Sequence, residues 1–202
     1  MSVVLRTAAS EGVAGLVLRP WAERDIPELI EAYRDPVMRR WTRLHVTGEQ
    51  DARRWLEVQW AGWEGGERLS FAVFEPVGGS GELRLVGNVA LKGLASGGSR
   101  AEVGYWTAAG ARGRGVAARA LERMTTWAFE AFGGDGLECL RLLHQVDNLA
   151  SCRVAGKCGY ALEGVLPAHP PFPLEGHVHA RYAASVPTSV GPAGVPPGGE
   201  AG

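Results

Sequence analysis

The chain has 202 residues, enough for one domain with a sizeable hydrophobic core. Its 21 basic and 22 acidic side chains give a formal net charge of −1, which does not favour nucleic acid as a partner. No apolar run approaches membrane-spanning length, the first residues lack a signal-peptide pattern, and the three cysteines have no metal-type pair spacing. We therefore expect a cytoplasmic protein with reduced thiols and no membrane partner.

The N-terminal part of the chain predicts a strand followed by two helices. Residues 15–20 are typical of a strand. Asp25 and Glu28 form a capping-box-like pair that predicts the start of the first helix, and Asp35-Pro36 breaks it. The second helix is predicted to begin at a capping box and to end at a glycine pair, Thr47 with Gln50 and Gly65-Gly66.

Three strands are predicted next, with no helix between them. Loops rich in glycine and serine join them, which indicates an antiparallel meander. The strands are predicted at residues 70–75, 83–91 and 102–107.

The third of these strands enters a glycine-rich turn and then a long helix. The turn, Ala108–Gly115, holds three glycines and two arginines, and apolar residues recur at helical spacing from Ala117 to Ala131. Backbone N–H groups and the positive end of the helix dipole would converge there. The segment predicts an anion site, most naturally for a phosphate or pyrophosphate, although such a turn can also serve only as a tight connection.

The C-terminal part continues with strands and one short helix. We predict one domain, residues 1–186, and a disordered Pro/Gly-rich tail, residues 187–202. The remaining strands are predicted at residues 140–146, 160–166 and 179–186, and the short helix at 150–158.

Two phosphate-binding patterns compete for the turn. Gly113, Gly115 and Ala117 fit a variant of the dinucleotide fingerprint, but the surrounding strands lack the crossover helices of a Rossmann unit. The run Arg-Gly-x-Gly-x-Ala instead resembles the acetyl-CoA loop of the GNAT acetyltransferase superfamily. That resemblance implies a CoA pyrophosphate held by the turn, with the contributing residues Arg112, Gly113, Arg114, Gly115, Val116 and Ala117.

A second segment matches the same superfamily. It runs from Asn148 through Ser151 to Lys157, Gly159 and Tyr160 and resembles N-x-x-[AS]…K-x-G-[FY], although it can also be read as a capped short helix. The resemblance is greatest to the branch that acetylates N-termini of ribosomal proteins. It implies an α+β fold whose mixed, mostly antiparallel sheet has about six to seven strands flanked by helices, and it gives Asn148 a contact with CoA.

The resemblance also implies a reaction. An amine would attack the thioester of acetyl-CoA directly in a ternary complex, with no cysteine nucleophile and no metal. A backbone N–H near Trp106 or Thr107 would stabilise the oxyanion, and Ser151 would protonate the leaving thiolate. Glu102 is the candidate base, or else an exposed strand carboxylate. The tyrosine that many members use as the acid is replaced by Ala155.

Several alternatives remain open at this stage. The acceptor is either a protein N-terminus or a small-molecule amine, and the protein a monomer or a homodimer. A non-catalytic acyl-CoA-binding or sensor domain and a Rossmann-type reductase are the rival functions. His177 and His179 are expected on an exposed strand face or at the substrate, and His144 partly buried. A metal site built from these histidines is not expected, because neither a carboxylate nor a cysteine stands at ligand spacing.

Overall fold

The computed structural model of the protein describes residues 3–42, 44–78, 81–94, 98–170 and 173–184. The predicted tail, residues 187–202, lies outside the described residues. Within the described ranges there are eight strands, namely β1 (Leu5–Arg6), β2 (Val17–Pro20), β3 (Arg68–Val77), β4 (Glu82–Lys92), β5 (Arg100–Thr107), β6 (Cys139–Gln145), β7 (Ala161–Leu166) and β8 (Gly176–Tyr182). The same ranges hold five α-helices, namely α1 (Ile26–Tyr33), α2 (Pro36–Trp41), α3 (Glu49–Gly65), α4 (Val116–Phe132) and α5 (Leu149–Lys157). None of the helices in these ranges has both the length and the apolar character needed to cross a bilayer.

The strands form one sheet in the order β1-β2-β3-β4-β5-β6-β8-β7. Neighbouring strands are antiparallel except β5 and β6, which are parallel because α4 crosses over between them. The predicted α+β class and the predicted meander, which forms β3, β4 and β5, are confirmed. Seven of the strands match predicted ones, and the two-residue β1 is the addition that brings the sheet to eight.

The parallel strands β5 and β6 separate along their length. Residues 100–103 of β5 pair with residues 139–142 of β6. Beyond that point β5 remains paired only with β4 as far as Thr107, and β6 remains paired only with β8 as far as Gln145. The facing edges of residues 104–107 and 143–145 are therefore left without a strand partner in the described sheet.

Hydrophobic cores cover both faces of the sheet. On one face, α4 buries Leu121, Met124 and Ala128 against the strands, and Val103 belongs to the same core with Tyr105 packed against it. On the other face, α1 and α3 bury a second core, against which Trp106 packs. Because side chains alternate along a strand, successive residues of β5 point into different layers at the place where β5 leaves β6.

The predicted capping box at the first helix is wrong. Helix α1 begins at Ile26 without a side-chain cap. Both carboxylate oxygens of Asp25 instead accept hydrogen bonds from Arg19, at 2.7 Å each. Glu28 accepts from the backbone N–H of Leu85 at 2.8 Å. The two carboxylates therefore tie the start of α1 to the sheet, because they pair with groups of β2 and β4 rather than with N–H groups in the first turn of the helix.

Helix α2 is an additional helix that the sequence did not predict, and the start of α3 also differs from its prediction. Asp35 ends α1 as expected, but its side chain also accepts from the Val37 N–H at 3.0 Å and so caps α2, with Pro36 in the first helical position. Helix α3 begins after Gly48 rather than at a Thr47 capping box. Its end agrees with the prediction, because Gly66 adopts a left-handed conformation with φ of 69°.

Candidate active site

The opening between β5 and β6 leads into a cavity of about 580 Å³. Its walls come from both diverging strands, from the layer of α1 to α3, from the start of α5, and from the segment before β8. The cavity thus reaches both layers of the protein through a gap in the sheet. Aromatic, charged and hydrogen-bonding side chains line it, among them Tyr33, Trp55, Arg68, Lys92, Glu102, Tyr105, Trp106, His144, Asn148 and Ser151.

The glycine-rich turn lies at the carboxyl end of β5. A short 3₁₀ turn spans Ala109–Ala111, and two glycines then adopt left-handed backbone conformations, Gly113 with φ of 75° and Gly115 with φ of 74°. Helix α4 follows, and its first backbone hydrogen bond runs from the Arg119 N–H to the Gly115 carbonyl over 3.1 Å. The N–H groups that precede Arg119 lie in the first turn, where a helix offers no acceptor of its own. The left-handed glycines and the open first turn are compatible with the predicted anion site, which stays a prediction.

The two arginines of the turn have carboxylate partners. Arg112 forms an ion pair with Asp35, and Arg114 forms one with Glu75 at 2.9 Å. Partial burial opposes ionisation of Asp35, but its hydrogen bonds with Arg112 and Val37 hold its pKa below the ordinary value. The arginines therefore anchor the turn to α2 and β3, a structural use that the sequence did not indicate. The backbone amides and the helix dipole are then the candidate groups for an anion at this turn.

Helix α5 begins at the carboxyl end of β6 and, unlike α4, presents its N-terminus to the cavity. Asn148 caps it, because its side-chain oxygen accepts from the Ser151 N–H at 3.2 Å. The Ser151 Oγ accepts a hydrogen bond from the Tyr105 hydroxyl at 3.1 Å. Burial raises the pKa of Tyr105 to about 12, so this phenol stays protonated at neutral pH. The hydroxyl proton of Ser151 is then free to point toward a ligand.

Backbone alternation decides which amides face the opening. The Ala108 N–H donates to the Val86 carbonyl at 3.0 Å, across the ladder between β4 and β5. Alternation along that ladder directs the Trp106 N–H toward β4 as well, and the N–H groups of Tyr105 and Thr107 toward the opening. Of the two predicted oxyanion donors, Thr107 therefore has the right orientation, whereas Trp106 contributes its indole to the wall beside Tyr33.

Glu102 reaches the cavity from the opposite layer. Its side chain is on the same strand face as Trp106 and forms an ion pair with Lys92, its partner across the ladder to β4. Tyr105 and Ser151 approach from the layer of α4 and α5. The structure therefore brings the two candidate catalytic residues, Glu102 and Ser151, to one cavity from different faces of the sheet.

The histidines are arranged differently from the expectation. His179 is only 6% exposed rather than part of an exposed strand face, whereas His144 is partly buried as predicted. The two are stacked with ring centroids 5.2 Å apart, and His177 lies beside them. Cys152 of α5 completes the group, so a cysteine does stand within ligand distance of these histidines. The sequence hid this arrangement because the residues come from three separate elements.

Tyr105 is the site residue that sequence reasoning missed. The motif directed attention to the position of Ala155, which is fully buried in the core beside α4. A tyrosine hydroxyl reaches Ser151 from β5 instead. The alternation of the strand, with Glu102 and Trp106 facing one layer and Tyr105 the other, is the signal that could have found it.

Comparison with known proteins agrees with this architecture. Residues 15–161 match the family model described as an acetyltransferase (GNAT) domain. Among solved structures, RimL, a ribosomal L7/L12 alpha-N-protein acetyltransferase in complex with coenzyme A, shares 19% identity, covers 89% of this chain and 98% of its own, and has a TM-score of 0.74. Mycobacterium smegmatis RimJ in complex with CoA-disulfide shares 21% sequence identity, covers 92% of this chain and 88% of its own, and has a TM-score of 0.69. The microcin C7 self-immunity acetyltransferase MccE, in complex with acetyl-CoA and AMP, shares 18% sequence identity, covers 83% of this chain and 92% of its own, and has a TM-score of 0.70.

No curated protein sequence is a significant match to this chain. At identities of 18 to 21%, the likeness to the solved structures establishes the fold. The family match spans well over half of the chain and confirms the predicted resemblance. The chain belongs to the GNAT acetyltransferase family.

Proposed function

We propose that this chain transfers the acetyl group of acetyl-CoA to a primary amine, either a protein N-terminal α-amine or a small-molecule amine. The observation that carries the proposal is the opening between β5 and β6, which has a helix N-terminus at the end of each strand. Unpaired strand edges suit an extended ligand that carries amide groups. Helix N-termini suit its phosphates. The proposed catalytic unit is the predicted domain, residues 1–186.

The donor is proposed to enter from the layer of α4 and α5. The amides of residues 113–117 would hold the pyrophosphate, with Arg112 and Arg114 keeping the turn in shape through their carboxylate partners. Asn148 would contact the pantetheine or phosphate part of CoA. The N–H groups of Tyr105 and Thr107 would face the acyl end. Complexes of RimL and RimJ with CoA, and of MccE with acetyl-CoA, support this choice of donor.

The acceptor is proposed to enter from the layer of α1 to α3. The cavity wall there is aromatic, with Tyr33, Trp55 and Trp106, and it also carries Arg68 and Glu102. RimL is named for acetylating the α-amine of a ribosomal protein, which makes peptide N-termini the first acceptors to try. The amine must first lose a proton to gain a lone pair, and Glu102 would accept that proton, directly or through water.

The proposed acetyl transfer is a direct attack of the amine on the thioester, without a covalent enzyme intermediate. The amine nitrogen attacks the thioester carbonyl carbon, and the carbonyl oxygen takes the negative charge beside the Thr107 N–H. The intermediate collapses, the carbon–sulfur bond breaks, and the nitrogen releases its second proton to solvent as the amide forms. The departing sulfur takes the Ser151 hydroxyl proton, which Tyr105 can replace through its hydrogen bond.

The direct test is release of CoA that depends on an added amine. The assay would use peptides with free N-termini and a panel of small amines, and mass spectrometry would check that each product gains one acetyl group. Ser151→Ala should slow turnover, whereas Ser10→Ala, which removes an exposed hydroxyl outside the cavity, should not. Tight binding of acetyl-CoA without amine-dependent release across the panel would favour the non-catalytic acyl-CoA-binding alternative.

A further inference from the structure

Three histidines and one cysteine converge beside the candidate active site. His144 of β6 lies directly opposite His177 of β8, and His179 follows on the same face of β8. Cys152, in the first turn of α5, covers this face of the two strands. One donor atom from each of the four residues lies within 4.8 Å of all the others.

Hydrogen bonds orient two of the imidazoles. The Nδ1 of His144 contacts the Gln145 carbonyl at 2.8 Å, and the Nδ1 of His179 contacts the Tyr160 carbonyl at 3.2 Å. A carbonyl only accepts, so each Nδ1 carries the proton and each Nε2 presents a lone pair. Metal-bound histidines are commonly held in this way by a backbone carbonyl.

The lone pair on His179 has no protein partner. Its Nε2 is buried and makes no hydrogen bond within the described part of the chain, while the residue as a whole is only 6% exposed. Buried polar atoms are nearly always satisfied, so an orphan of this kind calls for an explanation. A ligand bound among the four residues would provide one.

The Cys152 Sγ lies 3.3 Å from His177 Nδ1 and 3.6 Å from His144 Nε2, so the thiol contacts both of these rings.

We propose that His144, Cys152, His177 and His179 form a binding site for a divalent transition-metal ion of the zinc class. Three imidazole nitrogens and one thiolate are a donor set that suits tetrahedral Zn²⁺. Metal–ligand bonds of about 2.0–2.3 Å hold tetrahedral ligand atoms about 3.3–3.8 Å apart. The four donor atoms now lie within 4.8 Å of one another, so the longest distance between them would shorten by about 1 Å when the ion binds.

The proposed ion would act as a structural link rather than as the reacting centre. Four protein ligands fill a tetrahedral zinc site and leave no position for substrate. The link would join β6, β8 and α5, and the ligand Cys152 directly follows Ser151. Metal binding would therefore fix the helix turn that presents Asn148 and Ser151 to the cavity. This proposal is independent of the acetyl-transfer proposal.

The test is a Co²⁺ titration of metal-free, untagged full-length protein under reducing conditions, followed by displacement with Zn²⁺. One equivalent should bind and give the intense visible bands of tetrahedral Co²⁺ together with a near-ultraviolet thiolate band. Zn²⁺ should abolish both signals and raise the melting temperature. Weak binding of several equivalents without a thiolate band would overturn the proposal, whatever happens in any variant.

Variants would assign the ligands. Cys152→Ser and His177→Ala should each weaken Co²⁺ and Zn²⁺ binding by at least about 100-fold, since even outer-shell changes cost about 10- to 100-fold. His45→Ala and Cys139→Ala are matched controls, because His45 is exposed and Cys139 lies outside the cluster. Both controls should keep the wild-type affinity. Equal affinity in Cys152→Ser and the controls would contradict the assignment.

Discussion

The hydroxyl of Tyr105 donates a hydrogen bond to Ser151 Oγ over 3.1 Å, and this bond connects β5 to the first turn of α5 beside the opening in the sheet. Because Tyr105 is the donor, the serine proton is directed away from it and toward the cavity. The bond therefore leaves the Ser151 hydroxyl proton available for its proposed transfer to the departing sulfur.

The first prediction concerns this pair. Ser151→Ala should lower kcat by about 10²–10⁴, the usual contribution of a general acid. Tyr105→Phe should lower it by about tenfold, the equivalent of one hydrogen bond. Because both residues act on one proton, the double variant should be no slower than Ser151→Ala alone. Steady-state kinetics with saturating acetyl-CoA would measure all three.

A tyrosine elsewhere provides the control for that prediction. The hydroxyls of Tyr160 and Thr125 are 2.6 Å apart in the core, away from the cavity lining. Tyr160→Phe should leave kcat unchanged and reduce stability by about 1 kcal/mol. An equal loss of kcat in Tyr105→Phe and Tyr160→Phe would mean that general destabilisation, not the contact with Ser151, explains the effect.

The second prediction concerns the glycine turn. Gly115→Ala places a side chain on a backbone with φ of 74°, at a cost of about 1–2 kcal/mol if the conformation is kept. Relaxation of this strain would move the amides at the start of α4, so the Kd for acetyl-CoA should rise by about tenfold or more. Calorimetry would measure the change.

Gly110→Ala is the matched control in the same turn. A Cβ at Gly110 meets nothing within 4 Å, and its φ is not in the left-handed region. This variant should bind acetyl-CoA like the parent. Matching affinities for both variants would refute the placement of the phosphates at the start of α4.

The third prediction concerns acid stability. Hydrogen bonds with Arg112 and Val37 keep the pKa of Asp35 below its unfolded value of about 3.9. The ionised carboxylate therefore stabilises the fold above that value, and this contribution disappears as the pH falls through the lower, folded-state pKa. From about pH 5 to about pH 3, the melting temperature of the parent should fall more steeply than that of Asp35→Asn.

The control for acid stability is a solvent-exposed ion pair on the same helix segment. Arg34 and Glu31 have side chains 73% and 69% exposed, and exposed pairs contribute little. Glu31→Gln should follow the pH profile of the parent. Parallel profiles for the parent and Asp35→Asn would show that the contact with Arg112 does not stabilise the native state.

The fourth prediction concerns Glu102. If this carboxylate accepts the amine proton, Glu102→Gln should lower kcat by about 10²–10⁴ and remove the acidic limb of the pH–rate profile. Lys92→Met keeps the carboxylate but removes its ion-pair partner, so it should retain an acidic limb. If the acidic limb of the pH–rate profile persists in Glu102→Gln, a group other than Glu102 is the base.

Sequence reasoning recovered the parts of the fold that depend on local patterns. The strand, turn and helix from Glu102 to Ala131 form β5, the glycine turn and α4, and the meander before them is also as predicted. Caps were harder to predict, because Asp25 and Glu28 make tertiary contacts that a local pattern cannot reveal.

The site was less predictable because it depends on the register between strands and on how far the edges of neighbouring strands pair. The contact between Tyr105 and Ser151 joins residues 46 positions apart. The group around Cys152 depends on the register that sets His144 opposite His177. The opening exists because β5 and β6 pair over only part of their length, and no periodicity in either strand indicates where that pairing stops.

A crystal structure of the protein with acetyl-CoA is the most direct test of the central claim that the opening between β5 and β6 is the site of acetyl transfer. We predict electron density for the pyrophosphate against the amides of residues 113–117. The thioester should lie between the diverging strands, with its sulfur near Ser151 Oγ and its carbonyl near the Thr107 N–H. Density for acetyl-CoA at any other place, with the opening filled only by solvent, would contradict the account.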